Sequence, residues 1–346
     1  MRREGSTSLG RVEPSESVPM TVSQGGASGV HVSRETATDL RPSPRPGKPV
    51  VLAVSNQKGG VGKTTTAVNL AAALAQDGLS VLLIDMDPQG NASTALSVPH
   101  GPDDLGIYDV IIDERPLVRV VKECPDIPGL WCAPSSIDLA GAEIELVGLS
   151  HRERRLKQVL EHLYAALERS RRPGPDYVII DCPPSLGLLT LNALVAADEV
   201  FIPIQGEYYA LEGLSSLMRT IDLVHGSLNP RLSVGAILLT MVDGRTNLAA
   251  QVGQEVRRHF PDQVLRATIP RSVRLSESPS YGQSVMTYDP LGTGALSYRA
   301  AAREYAHRVA QRLAPGTALH AQRDQQSALT RSVPADNPGA RREDLR

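Results

Sequence analysis

The chain has 346 residues, a formal net charge of −2, 41% hydrophobic residues and only 3% aromatic residues. This length and composition fit one large α/β domain, or two small ones, around an aliphatic core. A net charge near zero excludes a general affinity for polyanions, so any nucleic-acid site must be a local basic patch. No apolar run reaches the roughly 18 residues of a membrane-spanning helix. No apolar signal segment begins the chain, and together these features indicate a cytoplasmic protein.

The two ends of the chain differ in composition from its middle. Residues 1–48 and 315–346 are rich in small, polar and charged residues and show no sustained apolar periodicity. Such segments cannot bury enough apolar surface to offset the entropy lost on ordering. We therefore predict a disordered N-terminal extension over 1–48, a folded domain over 49–314 and a disordered tail over 315–346.

Short apolar runs alternate with helical patterns through the folded domain, beginning with a strand at 50–56 and a helix at 65–76. The further predicted strands are 81–87, 177–183, 199–205, 234–242 and 264–270, and the further predicted helices are 153–168, 186–196, 210–225, 248–259 and 296–313. Residues 99–150 have a weaker pattern, for which we predict two short helices around a strand near 130–133. Several strands are apolar on both faces, as in a covered parallel sheet. The alternation predicts a doubly wound, mostly parallel α/β sheet with helices on both faces.

A glycine-rich turn, KGGVGKTT at 58–65, separates the first strand from the first helix. Its three glycines allow backbone N–H groups to surround an anion, and the N-terminus of the following helix adds partial positive charge. Lys63 is then placed to reach the β- and γ-phosphates of a nucleotide, and the Thr64 hydroxyl to bind Mg²⁺. The pattern predicts a nucleoside triphosphate site.

This turn departs from the usual phosphate-loop pattern G-x-x-x-x-G-K-[ST]. Gln57 occupies the place of the first glycine, and an additional lysine, Lys58, follows it. The residues alone leave two interpretations of Lys58 open, an exposed loop lysine with no role or a second functional cation.

Two predicted strands end on carboxylates. Asp181 closes the apolar run YVIID, and Asp85 and Asp87 close VLLIDMD. In doubly wound sheets, ligands bind in the crevice outside the carboxyl ends of the strands. We therefore expect these side chains to face the phosphate loop, with Asp181 meeting Mg²⁺, through water.

Five motifs occur in the order KGGVGKTT, DMDPQGNAS, DCPPS, IPIQGEYYALEGL and the stretch from RTNL to IPRSVRLSESPS. Together they resemble the ParA/Soj family of chromosome- and plasmid-partitioning ATPases, and the resemblance runs through the domain at 49–314. It implies a phosphate-loop NTPase of the deviant Walker A type, with ATP and Mg²⁺ as cofactors and weak ATPase activity.

The resemblance also implies roles for individual residues. Lys58 is expected to cross the interface of a face-to-face ATP dimer and touch the partner's phosphates, Asp87 to orient the attacking water, and Lys63 to act with them in catalysis. The expected metal ligands are Thr64, Asp85 and Asp181. The expected nucleotide-binding residues are Lys58, Gly59, Gly60, Val61, Gly62, Lys63, Thr64, Thr65, Asp181 and Pro270.

Residues 245–274 form a basic stretch with six arginines against two acidic residues, a local charge of +4. Its single aromatic residue is Phe260, so the signal is phosphate contact and not base stacking, which implies little sequence preference. Taken in isolation, such a stretch favours a solvated helix face, as we expect for a second basic run at 151–172. The resemblance instead implies DNA contacts by Arg245, Arg271 and Arg274.

The implied cycle links these sites. An ATP-bound homodimer would bind double-stranded DNA without sequence specificity, and a centromere-binding protein of the ParB/Spo0J type would release it by stimulating hydrolysis. The protein is therefore expected in the cytoplasm at the nucleoid. Whether the cargo is the chromosome, a plasmid or another large body stays open at this stage.

Three alternatives share a nucleotide-binding loop. A MinD-like membrane-associated positioning ATPase needs a C-terminal amphipathic helix, whereas the tail at 315–346 is polar and interrupted by prolines. An iron–sulfur carrier needs two cysteine ligands from each subunit, whereas Cys182 follows a strand and Cys124 and Cys132 lie in the weakly patterned region. The third alternative is a scaffold that is switched by nucleotide binding and never hydrolyses the nucleotide. Asp87, the residue expected to orient the attacking water, argues against this alternative.

Overall fold

The computed structural model describes residues 42–207, 210–243 and 247–314. Most of the predicted N-terminal extension, 1–41, and the whole predicted tail, 315–346, lie outside these residues. So does Arg245, one of the three arginines expected to contact DNA.

A single sheet of eight strands forms the centre of the described fold, in the order β3-β4-β2-β5-β1-β6-β7-β8. Every neighbouring pair is parallel except β3 and β4, which are antiparallel. This topology confirms the predicted doubly wound, mostly parallel sheet. The strands are β1 Val50–Val54, β2 Val81–Asp85, β3 Lys122–Glu123, β4 Leu130–Ala133, β5 Tyr177–Asp181, β6 Glu199–Gln205, β7 Ser233–Val242 and β8 Val264–Pro270.

Helices cover both faces of the sheet. The side chains of each strand therefore alternate between two buried apolar cores, one on each face. The helices are α1 Lys63–Gln76, α2 Asn91–Ala95, α3 Ile107–Ile111, α4 Leu139–Glu145, α5 Arg155–Arg169, α6 Leu188–Ala196, α7 Ala210–Ser227, α8 Asn247–His259, α9 Val273–Glu277, α10 Val285–Tyr288 and α11 Thr293–Leu313. Val51 and Ala53 of β1 belong to the core under α5 to α8, whereas Leu52 and Val54 belong to the core under α1 and α11.

Three predicted strands extend too far at their carboxyl ends. The ladders of β1, β2 and β5 stop at Val54, Asp85 and Asp181, two residues before the predicted limits. The amides of Ser55, Met86 and Cys182 each keep one backbone hydrogen bond to a neighbouring strand, and the chain then builds the loops that surround the site. Apolar sequence alone does not mark the end of such a strand, because these loop residues are themselves buried.

The weakly patterned region contains more structure than expected. The predicted strand is β4, and the short helices α3 and α4 lie on either side of it, as predicted. The structure adds the two-residue antiparallel strand β3 and 3-10 turns at Leu117–Arg119 and Leu146–Gly148. Elements this short carry too few residues to show a period in sequence.

Residues 42–48, at the end of the predicted extension, contact the domain. Ser43 is buried, and its hydroxyl donates to Asp77 at 2.7 Å. Arg45 forms an ion pair with Asp176 at 2.7 Å. Composition does not predict these contacts, because the polar partners lie far away in sequence.

None of the helices in the described residues is long and apolar enough to cross a bilayer. All three cysteines are buried and carry free thiols. Burial raises the pKa of the Cys124 thiol to about 12, so this side chain is an unreactive packing group.

Candidate functional site

The glycine-rich loop lies between β1 and α1, as predicted, with its opening at the N-terminus of α1. Gly60 and Gly62 have φ angles of +74° and +88°, which L side chains rarely adopt. Gly62 caps α1, and its carbonyl accepts the Thr66 amide at 2.8 Å. The amides of the first helical residues therefore have no acceptor within the helix and can bind an anion.

The loop is anchored on its two sides by buried polar contacts. Asn56 is buried; its side-chain amide donates to the Pro203 carbonyl at 2.8 Å, and its side-chain oxygen accepts the Lys58 amide at 3.0 Å. The buried Thr240 hydroxyl donates to the Val61 carbonyl at 2.8 Å. The cradle is thus tied to β6 and β7.

Lys63 is buried among groups that suit a phosphate-binding ammonium. Its Nζ donates to the Lys58 carbonyl at 3.0 Å, so the side chain folds back across the mouth of the loop. Burial lowers the pKa of Lys63, and the nearby carboxylates of Asp181 and Asp87 oppose that shift. The carboxylates and the ammonium therefore face one small volume.

Asp85 and Asp181 are brought together at the predicted edge of the sheet. They are register partners at the ends of β2 and β5, and both are completely buried. Burial and the charge of Asp85 raise the pKa of Asp181, while the adjacent Thr64 hydroxyl lowers it. Two buried carboxylates so close together demand a compensating cation.

The two carboxylates differ in their partners. Neither oxygen of Asp181 has a hydrogen-bond partner among the described residues. In contrast, Asp85 Oδ2 accepts the Ser93 amide at 2.9 Å and the Ser93 hydroxyl at 2.7 Å, and Oδ1 accepts the Asp87 amide at 3.2 Å. Burial raises the pKa of Asp85 to about 6 against these bonds.

The donor set fits Mg²⁺ held jointly with a nucleotide. The described residues contain no group of three His, Cys, Asp or Glu side chains that could hold a metal alone. Mg²⁺ is commonly held by one or two carboxylates together with substrate phosphates. The unpartnered Asp181 carboxylate beside Thr64, next to the loop, provides that arrangement.

Asp87 is the second residue of the loop between β2 and α2 and is almost fully buried. Its Oδ1 accepts the Gln89 amide at 3.0 Å, which fixes the carboxylate at the edge of the site. Its charge raises the pKa of Lys63, so the carboxylate lies on the same side of the loop as that ammonium. The geometry suits a residue that orients a water molecule.

Known proteins with similar sequences place this site in a family. The family described as an AAA domain matches residues 50–234. The chain is 50% identical over 256 residues to the sporulation initiation inhibitor protein Soj of Bacillus subtilis, which covers 74% of this chain and 98% of that protein. It is 51% identical over 265 residues to the chromosome partitioning protein ParA of Caulobacter vibrioides, which covers 76% of this chain and 96% of that protein.

The chain belongs to the ParA/Soj family. It is a chromosome-partitioning ATPase with ATP and Mg²⁺ as cofactors. A solved structure described as cobyrinic acid a,c-diamide synthase of Mycobacterium smegmatis, with a bound ATP analogue and magnesium, is 35% identical to it. That match has a TM-score of 0.64 and covers 78% of this chain and 97% of that one.

The additional lysine of this ParA/Soj member forms an ion pair within its own chain. The Lys58 ammonium forms an ion pair with Glu207, which follows β6, and both side chains are partly exposed, at 39% and 47%. The pair places Lys58 at the open face of the loop. Its predicted contact with a partner's nucleotide stays a prediction.

The remaining predicted nucleotide-binding residues occupy different places. Gly59 and Val61 lie in the loop, and the carbonyl of Thr65 accepts the Asn69 side chain at 2.7 Å. Thr64 and Thr65 also line a cavity of about 270 Å³ with residues of α2 and of the turn Ser278–Tyr281. Pro270 ends β8 beside Val242 and is not one of the residues that line this cavity.

The two described DNA-contact candidates lie together after β8. Arg271 is exposed, and its amide donates to the Val242 carbonyl at 3.2 Å. Arg274, on α9, is also exposed, with its guanidinium 5.7 Å from the centre of the Tyr288 ring. Tyr288 stacks on Tyr281 with ring centres 5.0 Å apart. These tyrosines lie outside the basic stretch, so no sequence pattern indicated that they support Arg274.

Sequence reasoning missed two side chains that contact the predicted site. Ser93 binds Asp85, and Glu207 binds Lys58. Both lie in motifs that were recognised, DMDPQGNAS and IPIQGEYYALEGL. Their positions within these motifs were the sequence signal for them. The contacts themselves depend on how separate segments come together in the fold, which the motifs do not show.

Proposed function

We propose that this ATPase partitions DNA as a nucleotide-dependent homodimer, through an ATPase domain at 49–314 flanked by extensions at 1–48 and 315–346. The observation that supports it best is the identity of about 50% to Soj and ParA proteins along nearly their whole length. The identity to the protein described as a diamide synthase is lower, at 35%. Sequence similarity therefore favours partitioning over that chemistry.

In this proposal, the loop 58–65 binds the triphosphate. The free amides at the start of α1 surround the phosphates, and Lys63 exchanges the Lys58 carbonyl for phosphate oxygens. Thr64 and Asp181 hold Mg²⁺, with Asp85 beside them. When bound, Mg²⁺ neutralises charge on the β- and γ-phosphates.

Asp87 orients the water that attacks the terminal phosphate. Phosphoryl transfer depends mainly on positioning and charge stabilisation. The carboxylate is fixed by the Gln89 amide and lies near Lys63. With no strong base or arginine from a partner protein in place, turnover is expected to be slow.

Dimerisation uses Lys58 of each protomer. Two facing ATP sites concentrate negative charge, and a lysine lent from each side neutralises it only when both sites are filled. Lys58 must then leave Glu207, a partly exposed pair that stabilises the free protomer by no more than about 1 kcal/mol. Bound phosphates can readily outcompete such a pair.

The DNA-binding surface includes Arg245, Arg271 and Arg274. Exposed arginines contact phosphates without reading sequence, and two weak patches become strong when a dimer joins them. A ParB/Spo0J-type centromere-binding protein would then trigger hydrolysis and release at the nucleoid. Cytoplasmic residence agrees with the lack of a membrane-spanning helix in the described residues.

The alternatives from the sequence have less support. A MinD-like role requires an amphipathic segment in 315–346, outside the described residues. An iron–sulfur site requires exposed cysteines at a subunit interface, whereas Cys124, Cys132 and Cys182 are buried. A plasmid or another large body as cargo uses the same chemistry and differs only in the partner.

DNA binding in the two nucleotide states tests the proposal. A fluorescent duplex of arbitrary sequence is titrated with full-length protein, Mg²⁺ and either a non-hydrolysable ATP analogue or ADP. We expect tight binding with the analogue only, and a loss of about tenfold or more for Arg274→Ala. Arg169→Ala, an exposed arginine on the second basic run, is the control with the same charge change and should bind normally.

Equal affinity with ADP and with the analogue would contradict nucleotide-gated binding. Equal losses for Arg274→Ala and Arg169→Ala would contradict the surface and indicate a general charge effect. Addition of a ParB-type partner should accelerate phosphate release from the DNA-bound protein and should not accelerate it from Asp87→Ala.

A further inference from the structure

Ser93 makes contacts that set it apart from other residues of the short helix α2. It is completely buried. Both its amide and its hydroxyl donate to the same oxygen of Asp85, Oδ2, at 2.9 and 2.7 Å. Its hydroxyl oxygen also accepts the Ser135 amide at 3.1 Å, which ties α2 to the chain that follows β4.

The other oxygen of Asp85 reaches the opposite end of the same loop. Oδ1 accepts the Asp87 amide at 3.2 Å. A single carboxylate therefore joins the second residue after β2 to the third residue of α2, and segment 86–92 is closed into a ring. The position of the Asp87 backbone is fixed by this ring.

The contrast with Asp181 separates the roles of the two buried acids. Asp85 receives three donated hydrogen bonds from its own chain, whereas the oxygens of Asp181 accept no bond of that geometry among the described residues and have the Thr64 hydroxyl as their neighbour. A carboxylate that is already satisfied gains less from a cation than one that is not. Asp181 beside Thr64 is thus the acid available to Mg²⁺.

We propose that Asp85 and Ser93 are positioning residues for Asp87 and that Asp85 is not a ligand of the magnesium. They hold the loop 86–92 so that the Asp87 carboxylate faces the terminal phosphate. The inference rests on the proposed water-orienting role of Asp87, and it revises the sequence-based expectation of three metal ligands.

Ser93→Ala tests the positioning role. It removes the hydroxyl bond to Asp85 and leaves the loop composition unchanged. We expect kcat for ATP hydrolysis to fall about tenfold, as is typical when a group that orients an active residue is lost. KM for ATP should change less than twofold. Ser93→Thr retains the hydroxyl and should recover most of the rate, and Ser97→Ala, a serine just beyond α2 whose hydroxyl binds the Gly282 carbonyl, should leave it unchanged.

A second measurement separates positioning from metal binding without using activity. Binding of a fluorescent non-hydrolysable ATP analogue is followed as Mg²⁺ is titrated. Asp181→Asn should raise the half-saturating Mg²⁺ concentration tenfold or more, whereas Asp85→Asn and Ser93→Ala should leave it within twofold of wild type. Thermal unfolding of each metal-free variant establishes that it is folded.

The outcomes distinguish this inference from the proposed function. A shift in the Mg²⁺ requirement for Asp85→Asn as large as that for Asp181→Asn would make Asp85 a ligand and overturn the inference. An unchanged kcat for folded Ser93→Ala would overturn it as well, while a large loss for Asp87→Ala would leave the proposed hydrolytic role standing. Unchanged hydrolysis by Asp87→Ala would overturn both.

Discussion

Two aspartates with the same sequence signal, each closing a buried strand, have different surroundings in the structure. Asp85 is surrounded by donors from Ser93 and Asp87, whereas Asp181 faces the loop with no hydrogen-bond partner among the described residues. A buried charge without a partner reduces stability. The site therefore stores an electrostatic cost that a bound cation can remove, which links metal binding to stability at a single side chain.

The residue-scale prediction is that Asp181→Asn stabilises the protein when metal and nucleotide are absent. The neutral amide removes a buried charge, so the free energy of unfolding should rise by about 1–3 kcal/mol. Urea denaturation in EDTA measures the change. The added stability that wild type gains from Mg²⁺ and ATP should largely disappear in the variant.

Asp176→Asn provides the matched control at the other end of β5. Asp176 accepts the Ser80 amide at 2.8 Å and pairs with Arg45, so its carboxylate is satisfied and the substitution should destabilise the protein. If Asp181→Asn destabilises the metal-free protein to the same extent, the view that burial of the Asp181 carboxylate costs stability is contradicted.

The candidate site was predictable as a set of residues but not as a set of contacts. The spacing of KGGVGKTT between a strand and a helix placed Lys63 and Thr64, and strand ends placed Asp85 and Asp181. No sequence pattern states which acid is satisfied by its own chain. That difference arises because Ser93, in α2, donates hydrogen bonds to Asp85, at the end of β2. The contact joins two separate elements, which a local sequence pattern does not show.

At the scale of elements, the helix α1 joins the phosphate loop to the rest of the fold. Its C-terminal neighbour Asp77 accepts bidentate hydrogen bonds from Arg303 of α11 at 3.0 Å and a bond from Ser43 at 2.7 Å. These contacts bring together three segments that are remote in sequence. The end of α1 away from the nucleotide is thereby held in place.

The second prediction concerns this junction. Asp77→Asn weakens the pairing with Arg303, and the free energy of unfolding at pH 7 should fall by about 1–2 kcal/mol. Burial opposes ionisation of Asp77, but the bonds from Arg303 and Ser43 outweigh it and hold the pKa below its usual 3.8. The carboxylate therefore contributes stability above the unfolded pKa and loses it as pH falls through the lower folded pKa.

Denaturation of wild type and Asp77→Asn across pH 3 to 7 measures this effect. The difference between them should be constant near neutrality and should shrink below about pH 4. Asp103→Asn changes an exposed carboxylate and should have no effect. A difference that grows at low pH would show that the sign of the Asp77 contribution is wrong.

Prediction of the fold succeeded where elements are long or fully buried. All six strands predicted from apolar runs are present, and β6 and β8 have the predicted bounds. The short helices α2, α9 and α10 were not predicted, because four or five residues do not complete enough turns to show a period. Composition places residues 42–48 in the extension, because their contacts with Asp77 and Asp176 are remote in sequence.

At the scale of the whole molecule, the free protomer and the proposed dimer compete for the same lysine. Lys58 pairs with Glu207 in the described protomer, and in the dimer it would contact the partner's phosphates. The first contact is partly exposed and weak, whereas the second would be enclosed between two subunits and charge-assisted. ATP concentration then determines which contact prevails, because only filled sites present the phosphates.

The final prediction is that Lys58→Ala binds ATP but fails to dimerise. Light scattering of the purified protein with Mg²⁺ and a non-hydrolysable analogue measures the mass. Loss of one member of an enclosed charge pair should weaken dimerisation by about 30-fold or more. Glu207→Gln removes the competing partner within the protomer and should dimerise at least as well as wild type. Because both variants alter the same ion pair, a monomeric Lys58→Ala beside a dimeric Glu207→Gln would assign the defect to the lost cation, whereas full dimerisation of Lys58→Ala would show that the lysine does not join the subunits.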